Sequence, residues 1–151
     1  MKVSILIAMI AAASLQGGAQ RTNELMGTWR LVSSQDIAPD GTVTYPFGRE
    51  ASGVITYDAA GTMTAQVMRK GRTKRAAFED AQPEPLLSYV AYWGTFDVDE
   101  TKHIVTHHIK GDLDPARIDT DNLRQYELAG DKLMLIELDR PVRHVTWERV
   151  R

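Results

Sequence analysis

Cysteine is absent from all 151 residues. This excludes disulfides, a thiol nucleophile, a lipid-modified cysteine anchor and any Cys-containing metal site. Stability must then come from packing and strand pairing. No Asn-x-Ser/Thr acceptor is present, and neither is Gly-x-Ser-x-Gly, a phosphate-binding Gly loop or His-Glu-x-x-His, so the chain signals no cofactor and no standard hydrolase or metalloprotease chemistry. Neither sign of charge dominates: 18 Lys+Arg face 20 Asp+Glu, mixed along the chain, and no basic nucleic-acid face emerges. Only one long apolar run occurs, from Val3 to Ala13, interrupted by Ser4. It is about half the length a bilayer span needs.

That run is what a targeting segment looks like. Lys2 precedes it, and Gly17 and Ala19 are the small residues that signal peptidase prefers at −3 and −1, so cleavage is expected after Ala19. A retained anchor or a buried first helix is the alternative. The chain is therefore expected to be exported, to the periplasm or the medium, with residues 20–151 forming one domain and no membrane span after signal removal. Without Lys2 the mature part carries 17 Lys+Arg against 20 Asp+Glu, a formal charge of −3.

The remainder alternates with period two. Strands are expected at Gly27–Ser33, Thr42–Tyr45, Ser52–Tyr57, Thr62–Arg69, Gly94–Val98, His103–Lys110, Asn122–Leu128, Lys132–Leu138 and Arg143–Val150. Asp58-Ala59-Ala60-Gly61 makes the clearest hairpin, a type I turn followed by a left-handed Gly. Gly71–Ala81 lacks alternation and reads as a loop with at most a helical turn. Pro83-Glu84-Pro85 then opens a short helix expected over Leu86–Tyr92, with Leu86, Tyr89 and Val90 on one face. Short connectors between sequential strands mean an antiparallel meander. About nine strands on so short a chain predict an all-β, up-and-down barrel with one short helix, since closure removes exposed edges. A two-sheet sandwich is the alternative.

Several faces carry polar groups beside apolar ones. In Thr62–Arg69, Met63, Ala65 and Val67 alternate with Thr64, Gln66 and Met68, and this mixture suits a ligand cavity to which Met68 would contribute. Three of the four histidines lie between His103 and Lys110. His107 and His108 must point to opposite faces of a strand, and His103 and His107 stand roughly 13 Å apart along it, so one metal ion is not gripped there. An inward imidazole is instead a hydrogen-bond partner or an acid or base near neutral pH. Arg124 shares a face with Tyr126 and Leu128, as a buried anion clamp or a snorkelling side chain. Asp112, Asp114, Asp119 and Asp121 lack calcium-loop spacing and read as turn-formers.

Together these stretches resemble the bacterial lipocalin-like domain family. The resemblance is carried by Gly27–Ser33, Tyr45-Pro46-Phe47-Gly48, Gly53–Asp58 with Gly61-Thr62-Met63, Tyr89–Phe96, Val105–Ile109, Asn122–Leu128 and Thr146–Val150, in order along nearly the whole mature chain. It implies a calycin-type barrel with a pocket and no defined reaction. It also implies pocket candidates: Tyr45, Tyr89, Tyr92, His107, His108 and Arg124. The basic stretch Arg69–Arg75 departs from the family pattern. The leading expectation is a binding module for a small hydrophobic or amphipathic molecule, in a cavity closed at one end by the Leu86–Tyr92 helix. The alternative is a barrel enzyme, an isomerase, cyclase or hydrolase, using an inward His with Tyr and Arg. Oligomeric state and ligand identity are open.

Overall fold

The computed structural model describes residues 24–72 and 88–151. Nine strands follow one another: β1 (Gly27–Ile37), β2 (Val43–Thr44), β3 (Ser52–Tyr57), β4 (Thr62–Met68), β5 (Tyr89–Asp99), β6 (Ile104–Asp112), β7 (Asp121–Ala129), β8 (Lys132–Glu137) and β9 (Arg143–Arg149). Every pairing is antiparallel, and β3 to β9 pair in sequence. β1 pairs with β3 on one side and with β9 on the other, so eight strands close into a barrel, and β2 adds a short extra pairing on the far end of β1. The barrel, not the sandwich, is the architecture. Its outward face carries Arg30, Thr64, Gln66, Lys110, Gln125 and Glu127, interspersed with exposed Val32, Met68, Trp93 and Leu123. No helix of the described residues is long and apolar enough to cross a membrane.

Alternation sets the interior. Met63, Ala65 and Val67 are buried while Thr64, Gln66 and Met68 are exposed. Val105, His107 and Ile109 point inward from β6, and Arg124 and Tyr126 from β7. β1 departs from simple alternation. A bulge between Leu31 and Ser33 inserts one residue, leaving Val32 exposed and turning Ser34, not Ser33, into the barrel.

The Asp58–Gly61 turn forms as its residues demand. Gly61 N–H donates to Asp58 O, Gly61 adopts φ +83°, and the Asp58 carboxylate accepts from Thr62 N–H at 2.9 Å. Asp114 caps a 3-10 turn at Pro115–Arg117 by accepting from Ala116 N–H. Gly94 has a different reason to be glycine. It sits at the β5–β6 bulge, where a Cβ would meet His108 O at 1.9 Å. Gly94→Ala should therefore destabilise the barrel by about 2 kcal/mol, because backbone must move. Urea unfolding measures this, and an unchanged midpoint would show that the bulge relaxes freely.

The expected helix over Leu86–Tyr92 is corrected in its second half. Tyr89–Tyr92 are the first residues of β5, and they pair with Met68–Ala65 of β4. The i, i+3, i+4 match was a coincidence of three apolar positions in a segment rich in aromatic and β-branched residues, where cross-strand pairing outweighs local propensity. Leu86 and the Pro83–Pro85 start lie outside the described residues, as do the leader and most of the Gly71–Ala81 loop.

Candidate functional site

The two ends of the barrel are built differently. At the end where β1 begins and β9 finishes, the interior is filled. Leu25, Trp29, Tyr57, Met63, Val105, Tyr126 and Leu133 are almost without solvent exposure. Trp29 Nε1 donates to Leu25 O at 2.8 Å, and the Arg149 guanidinium stacks 4.0 Å over the Trp29 ring. The expected hollow centre is thus confined to the opposite half.

In that half a cavity of about 100 Å³ remains. Phe47, Ile55, Ala65, Val67, Val90, Leu135, Val145 and Trp147 form its apolar wall. Ser34, Tyr92, Arg117, Arg124, Glu137 and Arg143 supply its polar groups. A few placed polar groups in an apolar enclosure is the composition of a small-molecule site. The cavity lies toward the end where β4 finishes and β5 begins.

Each arginine here has a carboxylate partner. Arg124 Nη1 donates to Glu137 Oε1 at 3.0 Å, directly across the β7–β8 pair. Arg143 makes a two-pronged contact with Asp36, with Nη2 at 3.1 Å from Oδ2, and this holds the Asp36 carboxyl below its ordinary pKa. Arg117 lies with Nε 3.5 Å from Asp112 Oδ2, and its guanidinium sits 5.1 Å from the Tyr92 ring centre. With its amide oxygen turned toward them, Asn122 accepts from Arg117 Nη2 and Arg124 Nη2, each at 2.9 Å. Burial opposes the Arg124 charge, but Tyr92 and Glu137 together hold it above the ordinary guanidinium value.

Behind Tyr92 lies His107, fully buried. Its Nε2 is 2.7 Å from the Tyr57 hydroxyl and its Nδ1 is 3.0 Å from the Tyr92 hydroxyl. A neutral imidazole satisfies both: the bare nitrogen accepts from one phenol, and the N–H donates to the oxygen of the other. Burial, reinforced by the Arg124 charge, pushes the His107 pKa well below 6.5, so the ring is neutral at physiological pH. Burial likewise pushes the Tyr57 phenol well above 10 and keeps it protonated.

The sequence candidates therefore separate. Tyr92 and Arg124 line the cavity, and His107 stands one hydrogen bond behind it. His108 points outward, where Nδ1 is 2.7 Å from Asp121 and Nε2 3.0 Å from Asp97. Tyr89 is also outward, donating to Gln66 Oε1 at 2.9 Å. Met68 shares the outward face of β4, because its neighbour Val67 is the inward residue. Tyr45 is half-buried beyond β2, under the Arg49 guanidinium at 4.1 Å. Glu137, Arg143, Trp147 and Arg117 line the cavity without having been singled out. Glu137 had a signal, as a charged residue ending the Leu133–Ile136 apolar run of β8, whereas Arg143 begins a strand of mixed character. Arg117 had none, since it arrives from a turn.

The fold and this half-filled interior define a lipocalin-like barrel with a small cavity in its less filled half. The chain belongs to the lipocalin-like domain family, whose model matches residues 26–149. No curated protein matches it. Solved structures similar to it include an uncharacterized protein from Bacteroides eggerthii, 14% identical, covering 84% of this chain and 100% of that one at TM-score 0.48. A DUF4847-family protein from Bacteroides vulgatus is 12% identical, over 82% of this chain and 92% of that one, at TM-score 0.45. Fatty-acid-binding protein 1 of Echinococcus granulosus is 15% identical, over 83% and 97%, at TM-score 0.41.

Proposed function

We propose that this protein is exported and holds a small molecule with an apolar body and a polar end in the less filled half of its barrel. The observation that carries this reading is the cavity of about 100 Å³, with an apolar wall and polar groups grouped around Arg124. Its size limits the occupant. An engineered apolar cavity of about 150 Å³ takes benzene, so the enclosed part of the ligand is a small ring or a short chain, and anything longer extends beyond it. A whole long-chain lipid does not fit inside.

The test uses the mature protein, isotope-labelled, titrated with cyclopentane. Saturable shifts of the Val67, Leu135 and Val145 methyl signals are expected, and Ala65→Leu should abolish them by filling the space. Absence of saturable binding would remove the reading. Export is tested on protein recovered from its producing cell: an intact mass that starts at Gln20 supports cleavage after Ala19, and a retained N-terminus sinks it.

A second reading, a barrel enzyme, rests on the Tyr57–His107–Tyr92 chain, which links a cavity-wall phenol to a neutral buried base. Conversion of a bound compound that is lost in Tyr92→Phe while binding survives would support it. Recovery of every bound compound unchanged would count against it.

A further inference from the structure

We propose that the ligand's polar end is a single carboxylate, held by the excess positive charge around Arg117, Arg124 and Arg143 while its apolar body fills the cavity. This rests on the cavity reading above and adds the chemistry of the ligand's head.

Two observations meet here. First, the cavity wall carries more positive charge than its surroundings answer. Arg117, Arg124 and Arg143 line it against one carboxylate, Glu137. Two more carboxylates stand behind the wall without restoring neutrality. Asp112 lies beside Arg117, and Asp36 is shared, since Arg140 reaches it as well as Arg143. Among the described residues this network holds four guanidiniums and three carboxylates, an excess of one positive charge. Arg117 and Arg124 are also packed together. Their Nη2 atoms donate to the same Asn122 oxygen, each at 2.9 Å, so two like charges stand no more than two hydrogen-bond lengths apart across a neutral amide. The side chains of Arg124 and Arg143 are only 7% and 13% exposed, so water and salt screen them weakly. The attraction acts through space and requires no particular N–H to point into the cavity.

Second, the surface beside the cavity has the same sign. Phe47 lines both the cavity and an adjoining groove. The groove carries Arg49, Arg69 and Lys70 against Glu50, and Glu50 is already paired with Lys70 at 2.6 Å. A chain with a formal net charge of −2 thus gathers positive charge here, which steers anions toward the cavity. The size of the excess selects the head group. One negative charge balances it, and a carboxylate matches the planar guanidinium fork. A phosphate monoester carries about −1.5 to −2 and would bring surplus charge into a partly buried site, at a desolvation cost that nothing repays. An uncharged head leaves the excess unanswered.

The experiment titrates hexanoate and hexanamide, nearly equal in shape and different by one charge, into the labelled mature protein at neutral pH. Binding is read from the Val67, Leu135 and Val145 methyl signals. Hexanoate should bind at least about tenfold more tightly than hexanamide, a difference of roughly 1.4 kcal/mol. Arg117→Gln removes one charge from the wall and should reduce that preference by about tenfold. Arg140→Gln is a surface change away from the cavity wall. It leaves Asp36 to answer Arg143 in full and should reduce the preference by about threefold, an effect that a merely structural Arg140 would not produce. Hexanamide binding as tightly as hexanoate, or an undiminished preference in either variant, would overturn the proposal. So would hexanoate shifts confined to Arg49 and Lys70 with the methyl signals unmoved. Failure of hexanoate to bind overturns it too. If cyclopentane still binds in that case, only the ligand chemistry falls; if it does not, the cavity reading falls as well.

Discussion

Arg124→Met should cost about 3 kcal/mol of stability in urea unfolding, and Arg124→Met/Glu137→Leu should cost clearly less. The single change leaves a half-buried Glu137 carboxylate without its cation, and Asn122 loses one of two donors. Breaking a buried pair from one side is expensive because the remaining charge stays desolvated, whereas replacing both partners with apolar groups is often close to neutral. The estimate sits at the low end of the usual 3–5 kcal/mol because Glu137 keeps some contact with water. A double variant as unstable as the single one would mean that the loss comes from packing of the Arg124 stem and not from the stranded charge.

His107→Leu should cost about 3 kcal/mol near pH 8, since it strands two buried hydroxyls, on Tyr57 and Tyr92, each worth roughly 1–3 kcal/mol when unpaired. It should also change the pH profile. The folded protein holds His107 neutral, with a pKa depressed first by burial and then by Arg124, so the unfolded chain binds more protons as pH falls below 6.5. Stability in that window therefore rises with pH, and on acidification the wild type should lose up to about 1.4 kcal/mol per pH unit from this residue alone. In His107→Leu that contribution to the acid limb disappears, so the gap to wild type narrows as pH falls. A gap that stays constant from pH 8 to pH 5 would show that the ring is not held neutral.

His108 works in the opposite sense. Its pKa is raised, chiefly by the hydrogen bond to Asp121 and then, against some desolvation, by Asp97. Its stabilising contribution is full below 6.5 and is lost as pH rises through the raised value. Adjacent histidines thus have opposite pH signatures because one strand sends them to opposite faces.

How much of this was legible in the chain can be judged strand by strand. Period-two alternation identified the nine strands and placed Met63, Ala65 and Val67 on one face of β4, because a strand turns successive side chains to opposite sides whatever surrounds it. Turn chemistry located the Asp58–Gly61 hairpin, because the left-handed position at Gly61 favours glycine. Alternation was ambiguous where the pattern was short. Tyr89–Tyr92 fitted a helix face equally well, and only their pairing with β4 decides for strand. The bulge after Leu31 was invisible, because it depends on how β1 is laid against β9.

By itself, the sequence determined an all-β meander long enough to close, the absence of disulfide support, and the fact that His107 and His108 face opposite ways. Tertiary structure alone decided that His107 is the inward one, that large side chains fill one half of the barrel, and that Arg124 meets Glu137 across a pair while its Nε–H stays free. The division has one physical cause. Alternation and turns are properties of a residue and its immediate neighbours, whereas inside versus outside, cavity versus plug, and the partner of a buried charge are set by register between strands far apart in the chain.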